Sequence, residues 1–232
     1  MTADSPNREM NRERIVRAAI ELLDAEGVEG LSMRRLGRRL GSGATSSYWY
    51  VGSKDELVAL AAEYLVGDLA LPDPGDVGWR AAAAAMAHDL RAMILRHPWL
   101  APIFGSQPTY GPRIARYENH ALAVYEAAGF AGADLGRAAD TVAAFVLGMT
   151  LGEAALKARL CRGGVNAAAD ASDLIAAVRQ TVAPFPRLRD RYDAMAYDAV
   201  AGADLEVVRE QSFEFGLQTV LDGLAARLAG AP

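Results

Sequence analysis

Apolar residues recur every three or four positions along most of the 232-residue chain, which is the period of an amphipathic α-helix. Ile15, Ala19 and Leu22 share one helix face ahead of a stop signal at Gly27. No stretch shows the strict alternation of apolar and polar residues that marks a half-buried β-strand. The pattern therefore predicts an all-α fold. Later helices are predicted at residues 79–96, 112–128, 135–160, 172–182 and 204–228.

Four helix start signals lie near the beginning of the chain. Asn11 can cap the first helix, Ser32 a short second helix and Ser42 a third. Ser53 begins an S-x-x-E capping box that opens a fourth helix. The second and third helices are joined by a tight turn that contains glycine, which is typical of a helix-turn-helix motif. The second helix of such a motif lies in the major groove of DNA, so the pattern indicates an N-terminal DNA-binding domain.

The charge distribution also favours contact with a polyanion. The net charge is −5, but every charged residue between positions 30 and 54 is basic. Such a segment attracts phosphate groups even when the chain as a whole is acidic. For the arginines taken alone, a solvated helix face remains an alternative. The basic residues of this segment are Arg34, Arg35, Arg38, Arg39 and Lys54.

Three adjacent aromatic residues, Tyr48, Trp49 and Tyr50, lie in the same segment. Neighbouring residues on a helix point about 100° apart, so one face cannot bury all three rings. At least one ring is expected to face outward, where DNA can meet it. Residues 41–43 are only a weak match to a phosphate-binding glycine loop, because an arginine-rich helix rather than a strand precedes them.

Residues 11–66 resemble the DNA-binding domain of the TetR (tetracycline repressor) family of bacterial regulators. The resemblance rests on RERIVRAAIELLDAEGVEGLSMRRLGRRLG followed by YWYVGSKDEL. It implies that Arg34 reads a base and that Trp49 reaches into the groove. Arginine can grip guanine bidentately, and hydroxyl and ammonium groups suit phosphate oxygens. The other implied contacts are to bases from Ala44, Thr45 and Ser46, and to phosphates from Ser47, Tyr48, Tyr50 and Lys54. The predicted DNA-binding segment, residues 32–54, also contains Ser32 and Arg35.

The chain is predicted to have two domains. Residues 1–54 form the helix-turn-helix domain, with a flexible arm over residues 1–9. Residues 55–232 form a helical domain for effector binding and dimerisation. Residues 184–203 are expected to be irregular or only partly helical. Breaks between helices are expected in the linker LPDPGDVG and at Pro102, Gly105, Pro108 and Pro112.

Two long helices, predicted at 135–160 and 204–228, carry apolar stripes beside glycines. Such helices can pack on each other within one chain, and this alternative stays open. The family resemblance implies instead that they form a four-helix bundle between two subunits, which suits the reading of a palindromic operator. The predicted interface residues of this homodimer are Gly148, Gly152, Phe213, Leu217, Val220, Leu221 and Leu224.

A pocket for a small-molecule effector is expected in the helical domain. Soft and aromatic side chains with a few polar tips suit an apolar or aromatic ligand, although each can equally belong to the core. The predicted lining is Met86, Leu90, Met93, Phe104, Tyr110, Tyr117, His120, Phe145 and Met149. Repression is the commoner behaviour of the family, so we expect a repressor that the effector releases from its operator.

The resemblance bears on metals and cofactors as well. In tetracycline-binding members of the family, a histidine and a glutamate help to hold a magnesium ion bound to the drug. Approximate alignment puts Ile103 and Gly152 at these positions. We therefore expect neither a magnesium–tetracycline effector nor another metal or cofactor.

An enzyme is the alternative function. The chain has three histidines and one cysteine, Cys161, and it lacks the H-E-x-x-H and G-x-S-x-G motifs. No catalytic residue is therefore assigned, and the alternative takes the form of a helical enzyme that binds a small molecule.

The same features predict a cytoplasmic location without membrane insertion. A single cysteine excludes an intramolecular disulfide, which fits a reducing cytosol. The first residues contain no apolar signal-peptide core. Residues 141–152, the longest charge-free apolar stretch in the C-terminal half, are too few to cross a bilayer.

Overall fold

The computed structural model describes residues 6–41, 53–106, 111–163, 176–194 and 203–230. Every regular element in these ranges is a helix, which confirms the all-α prediction. The helices are α1 (Pro6–Gly30), α2 (Met33–Arg39), α3 (Lys54–Gly67), α4 (Pro74–Val77), α5 (Trp79–Arg96), α6 (Leu100–Ser106), α7 (Pro112–Ala128), α8 (Gly132–Gly163), α9 (176–182), α10 (Pro186–Ala194) and α11 (Ala203–Ala229).

The chain divides into two compact units, Met1–Ala143 and Ala144–Pro232, and the boundary falls within α8. In the first unit, α1 packs on α2 and α3, while α7 packs on α3 and α5. In the second unit, the aromatic rings of Phe145 and Phe213 pack with their centroids 5.4 Å apart. This division follows the packing of the backbone, and the functional division at residue 54 stays a prediction.

Local signals fixed several helix ends as expected. The hydroxyl oxygen of Ser32 accepts a hydrogen bond from the backbone N–H of Arg35 at 3.4 Å. Ser53 accepts one from the N–H of Glu56 at 3.1 Å. Each bond satisfies a backbone donor that has no acceptor within its helix, which explains why α2 and α3 begin at these serines. The predicted third helix, opening at Ser42, lies outside the described residues.

Two predictions about helix boundaries were wrong. Helix α1 begins at Pro6, so Asn11 lies inside the helix and residues 6–9 of the predicted arm are helical. Helix α6 runs through Pro102 and Gly105, where a break was expected. Pro102 lies in the first turn, where the missing N–H has no intrahelical acceptor to lose. The predicted linker does separate α3 from α5, and it contains the four-residue helix α4, which opens at Pro74.

The apolar core of the first three helices holds them together. Leu23 of α1, Leu36 of α2 and Leu57 of α3 are fully buried. Burying a leucine side chain contributes roughly 1.5–3 kcal/mol, so these three residues are a substantial part of the packing that orients the arginines of α2.

One described segment, Gly132–Ala155 of α8, has the length and mean hydropathy (1.2) of a membrane-crossing helix. Its buried residues include Val142, Val146 and Thr150, which recur every four positions and therefore line one face. The core helix of a globular domain has the same composition, because one side must pack against the rest of the chain.

Helix α1 is kinked at Gly27, the predicted stop, and continues to Gly30. The backbone of Gly27 has φ 71° and ψ −177°, a combination that is essentially restricted to glycine. We therefore expect Gly27→Ala to lower the free energy of unfolding by about 1–3 kcal/mol in a urea titration. Gly136→Ala in α8 is the matched control, since a Cβ at either site meets no atom within 4 Å. The control should leave stability unchanged or raise it. Equal effects of the two substitutions would contradict the assignment of strain to Gly27.

Candidate nucleic-acid interface

The four arginines of α2 occupy two adjacent sides of one short helix. Arg34 and Arg38 are four residues apart and therefore share one side, and Arg35 and Arg39 share the next. The remaining face, formed by Met33, Leu36 and Gly37, is buried. The apolar face thus fixes the rotation of α2 and keeps all four cations at the surface.

Two of these arginines are held by carboxylates of α1. The guanidinium of Arg35 pairs with Glu26 and donates to the carbonyl oxygen of Gly30 at 3.2 Å. Arg39 donates from Nε to Oε2 of Glu21 at 2.8 Å. Exposed ion pairs of this kind contribute about 0–1 kcal/mol each, so their main consequence is geometric. They tie α2 to α1 along its length.

The other two arginines have no such partner. Arg34 and Arg38 are exposed, and neither side chain forms a hydrogen bond or ion pair with another described residue. Lys54, at the start of α3, is half-buried, as is the capping residue Ser32. Among the described residues, the unpaired charge of α2 is therefore on the side formed by Arg34 and Arg38.

The described part of the predicted DNA-binding set is limited to Ser32, Arg34, Arg35 and Lys54. The remaining predicted contacts lie outside the described residues, and their roles stay predictions. They are Ala44, Thr45, Ser46, Ser47, Tyr48, Trp49 and Tyr50.

A polar cluster missed by the sequence reasoning surrounds Tyr64, where α1, α3 and α7 meet. The Tyr64 hydroxyl accepts from Nε of Arg17 and donates to Oε1 of Glu13, both at 2.9 Å. The guanidinium of Arg113 lies 4.6 Å from the centre of the Tyr64 ring, within cation–π range. The hydrogen bond from Tyr64 and the charge of Arg17 lower the pKa of Glu13 below its usual value. Tyr64 therefore links the first helix to α7.

The predicted effector residues of the first unit are mostly sheltered. Met86 and Met93 are buried, and Leu90, Phe104, Tyr117 and His120 are half-buried. The polar groups of Tyr117 and His120 both form hydrogen bonds with backbone carbonyl oxygens. Tyr117 donates to the carbonyl of Met86 at 3.4 Å, and Nε2 of His120 lies 2.9 Å from that of Pro72. Burial raises the pKa of the Tyr117 phenol, so this hydroxyl stays a neutral hydrogen-bond donor.

The other predicted effector residues have different settings. In the second unit, Phe145 packs on Phe213 and Met149 is 40% exposed. Tyr110 lies outside the described residues. An open groove of about 660 Å³ lies beside α1 and the end of α2, away from the described members of this set. Its lining is Glu13, Arg14, Arg17, Ala18, Glu21, Arg39 and Leu40.

The described residues contain no group of three His, Cys, Asp or Glu side chains placed to hold a metal ion. Ile103 is half-buried in α6, and Gly152 is exposed on α8. Neither side chain offers a metal ligand.

The predicted dimer residues fall into two groups. Four of them are already buried within one chain, as the alternative of intramolecular packing expects, and their role at a subunit interface stays a prediction. They are Phe213, Leu217, Leu221 and Leu224. Gly148 and Gly152 are exposed, and Val220 is half-buried.

Helices α8 and α11 also expose apolar side chains that were not predicted to lie at the dimer interface. Phe215 is 77% exposed, and it shares a side of α11 with Thr219 and Gly223. Met149 lies next to the exposed Gly148 on α8. An apolar ring this exposed on a long helix is a signal for association that hydrophobic periodicity alone does not give.

Comparison with known proteins identifies the family of this chain. Residues 15–61 match the family model of bacterial regulatory proteins of the tetR family, and residues 71–228 match the tetracyclin repressor-like C-terminal domain. The chain belongs to the TetR family of transcriptional regulators.

A curated relative and two solved structures agree. The HTH-type transcriptional repressor DrrR1 of Streptomyces coeruleorubidus is 33% identical, over 97% of this chain and 80% of DrrR1. ActR of Streptomyces coelicolor, solved with actinorhodin, has a TM-score of 0.71 and 27% identity over 95% of this chain and 98% of ActR. BioQ, solved with its double-stranded DNA operator, has a TM-score of 0.58 and 25% identity over 93% of this chain and 98% of BioQ.

These comparisons settle the class of function. Regulators of this family bind DNA operators and small-molecule effectors as dimers. The chain is a ligand-responsive DNA-binding regulator, and its homologues are regulators rather than enzymes. The enzyme alternative is therefore set aside.

Proposed function

We propose that this TetR regulator is a cytoplasmic homodimeric repressor that binds a palindromic operator and leaves it when an apolar or aromatic small molecule binds. The division of the α2 arginines carries the DNA part of this proposal. Arg35 and Arg39 are engaged by α1, whereas Arg34 and Arg38 are exposed on one side of the helix without a described partner. Two guanidinium groups one turn apart can follow the phosphates or reach a base edge.

Arg34 is the residue best placed for base recognition. It lies in the first turn of α2, beside the cap at Ser32 and on the exposed side of the helix. Its planar guanidinium can donate two parallel hydrogen bonds to guanine O6 and N7. A lysine makes a point-charge contact instead, so Lys54 at the start of α3 is assigned to phosphate. Arg35 would have to exchange its pair with Glu26 for a phosphate contact.

The exposed sides of α8 and α11 support the dimer. Gly148, Gly152 and Gly223 have open space where a Cβ would stand, which allows the backbone of another helix to approach closely. Phe215 exposes a large apolar ring on the same side of α11 as Gly223. A two-fold assembly of such surfaces also supplies the two DNA-binding domains that a palindrome needs.

The effector part rests on the composition of α5 and α7 and on the relatives. Leu90 and Phe104 are half-buried apolar side chains, and Tyr117 and His120 add polar tips. This mixture suits a largely apolar ligand with a few hydrogen-bonding groups. DrrR1 is a repressor, and ActR was solved with a ligand, actinorhodin, which supports repression relieved by an effector.

The DNA assignment is tested on a duplex that the wild-type protein selects from a randomised library. Arg34→Ala is expected to cost about 1–3 kcal/mol of binding free energy and to relax discrimination at one base pair. Lys54→Ala should weaken all duplexes similarly and reduce the salt dependence by about one counterion. Fluorescence anisotropy across a salt series measures both. Arg227→Ala removes the same charge from the exposed end of α11, and it should change neither the affinity for the duplex nor its salt dependence. Unchanged affinity of the Arg34 variant would contradict the role of Arg34.

The dimer assignment is tested by Phe215→Glu. Because the ring is 77% exposed in one chain, the substitution should leave the helix content measured by circular dichroism unchanged. It should also place a charge in the subunit interface. Sedimentation equilibrium at micromolar concentration should then give a monomer, whereas wild type gives a dimer. Phe185→Glu is the matched control, since Phe185 is also exposed (56%) but lies between α9 and α10. A dimeric Phe215 variant would overturn this interface.

The effector assignment is tested with a ligand found by thermal-shift screening of apolar and aromatic compounds. Linkage requires that an inducer bind free protein more tightly than duplex-bound protein. The ratio of these two affinities equals the factor by which the inducer lowers the affinity of the protein for the duplex. We expect that factor to be about 10 or more, which corresponds to roughly 1.4 kcal/mol. Titration calorimetry with and without saturating duplex measures it. Equal affinities would rule the compound out as the inducer, while Arg34→Ala should bind it normally.

A further inference from the structure

Asp24, on α1, accepts two hydrogen bonds on one carboxylate oxygen. Trp99 Nε1 lies 2.8 Å from Oδ1 of Asp24, and His97 Nδ1 lies 2.7 Å from the same atom. An ionised carboxylate only accepts hydrogen bonds, so Nδ1 of His97 is assigned the hydrogen. The His97 and Trp99 residues are only 8% and 5% exposed. The contact joins residues more than 70 positions apart in the sequence.

The two donors come from the segment RHPWL, residues 96–100, which joins α5 to α6. Pro98 ends α5, because helical backbone is disfavoured for the residue before a proline, and His97 has φ −123° and ψ 71°. Helix α6 then begins at Leu100. His97 and Trp99 therefore project from a fixed turn, with their rings edge to face at 6.4 Å.

Helix α1 carries this contact to the basic helix. Glu21 and Glu26, which flank Asp24 in sequence, hold Arg39 and Arg35 of α2. A continuous chain of hydrogen bonds and helix backbone thus runs from the α5–α6 turn through Asp24 to α2. Two side-chain donors from buried residues converge on one oxygen of Asp24, and hydrogen bonds are directional, so this contact restricts the tilt of α1.

We propose that Asp24 is a positioning residue for operator binding: held by His97 and Trp99, it fixes the angle of α1 and α2 relative to the α5–α6 turn. The proposal rests on the proposed function, in which a dimer reads two half-sites. The two DNA-binding domains must stand about 34–36 Å apart to enter successive major grooves. A fixed angle keeps the second domain in register after the first has bound, which raises its effective concentration at the second half-site.

The test compares a full site with a half-site. The full site is the duplex that wild type selects from a randomised library, and the half-site is the same duplex with one half scrambled. Asp24→Ala is expected to bind the half-site within about twofold of wild type, because each domain keeps its own contacts. On the full site it should lose about 10-fold or more, since the gain from the second half-site shrinks.

Three further variants separate positioning from folding. Trp99→Phe removes one donor and keeps an aromatic ring, so it should show the same selective loss on the full site. Asp24→Asn keeps an acceptor oxygen in place and should bind the full site within about threefold of wild type. Glu29→Ala removes an exposed acidic side chain at the C-terminal end of the same helix, and this variant should bind both duplexes as wild type does.

The outcomes are distinct. Equal losses on the full site and the half-site for Asp24→Ala, or no loss on either, would overturn the positioning role. Weak binding of the full site by Asp24→Asn would also count against it, because an acceptor oxygen at this place would then not be enough to position α1. If wild type selects no duplex or gains nothing from the second half-site, the proposed function itself fails, and that result is seen before any variant is made.

Discussion

Helix α1 contacts three neighbours with three kinds of side chain, and the position of every described cation of α2 depends on it. Leu23 packs in the apolar core with α2 and α3. Glu21 and Glu26 pair with two of the four exposed arginines, and the other two, on the adjacent side, have no partner among the described residues. Asp24 joins the same helix to the turn between α5 and α6. An acidic helix therefore organises a basic surface.

This arrangement explains how a chain of net charge −5 can bind DNA. The acidic residues of α1 pair with Arg35 and Arg39, so they do not neutralise the side of α2 that carries Arg34 and Arg38. The electrostatic attraction to phosphate depends on the local potential at that side, and the sum over the chain matters much less. The Tyr64 cluster adds a second link, through Arg17 and Arg113, between α1 and α7.

Much of the fold was predictable because its signals are local. The caps at Ser32 and Ser53 and the helices Trp79–Arg96 and Pro112–Ala128 follow from residues within a few positions of each helix end. The contacts of Asp24 and Tyr64 were not predictable, because they join residues far apart in sequence. Periodicity found the apolar stripe of Leu217 and Leu221, but it cannot distinguish burial within one chain from burial against a second. Phe215, the exposed ring on the same helix, became visible only in three dimensions.

The central claim is that two DNA-binding domains of one dimer occupy two half-sites on the same side of a duplex. Hydroxyl-radical footprinting on the selected duplex tests it directly, because it maps the protected sugars along both strands. The account predicts two protected tracts related by two-fold symmetry, with centres about one helical turn apart, roughly 10 base pairs. A single protected tract, or uniform protection without a centre of symmetry, would contradict it.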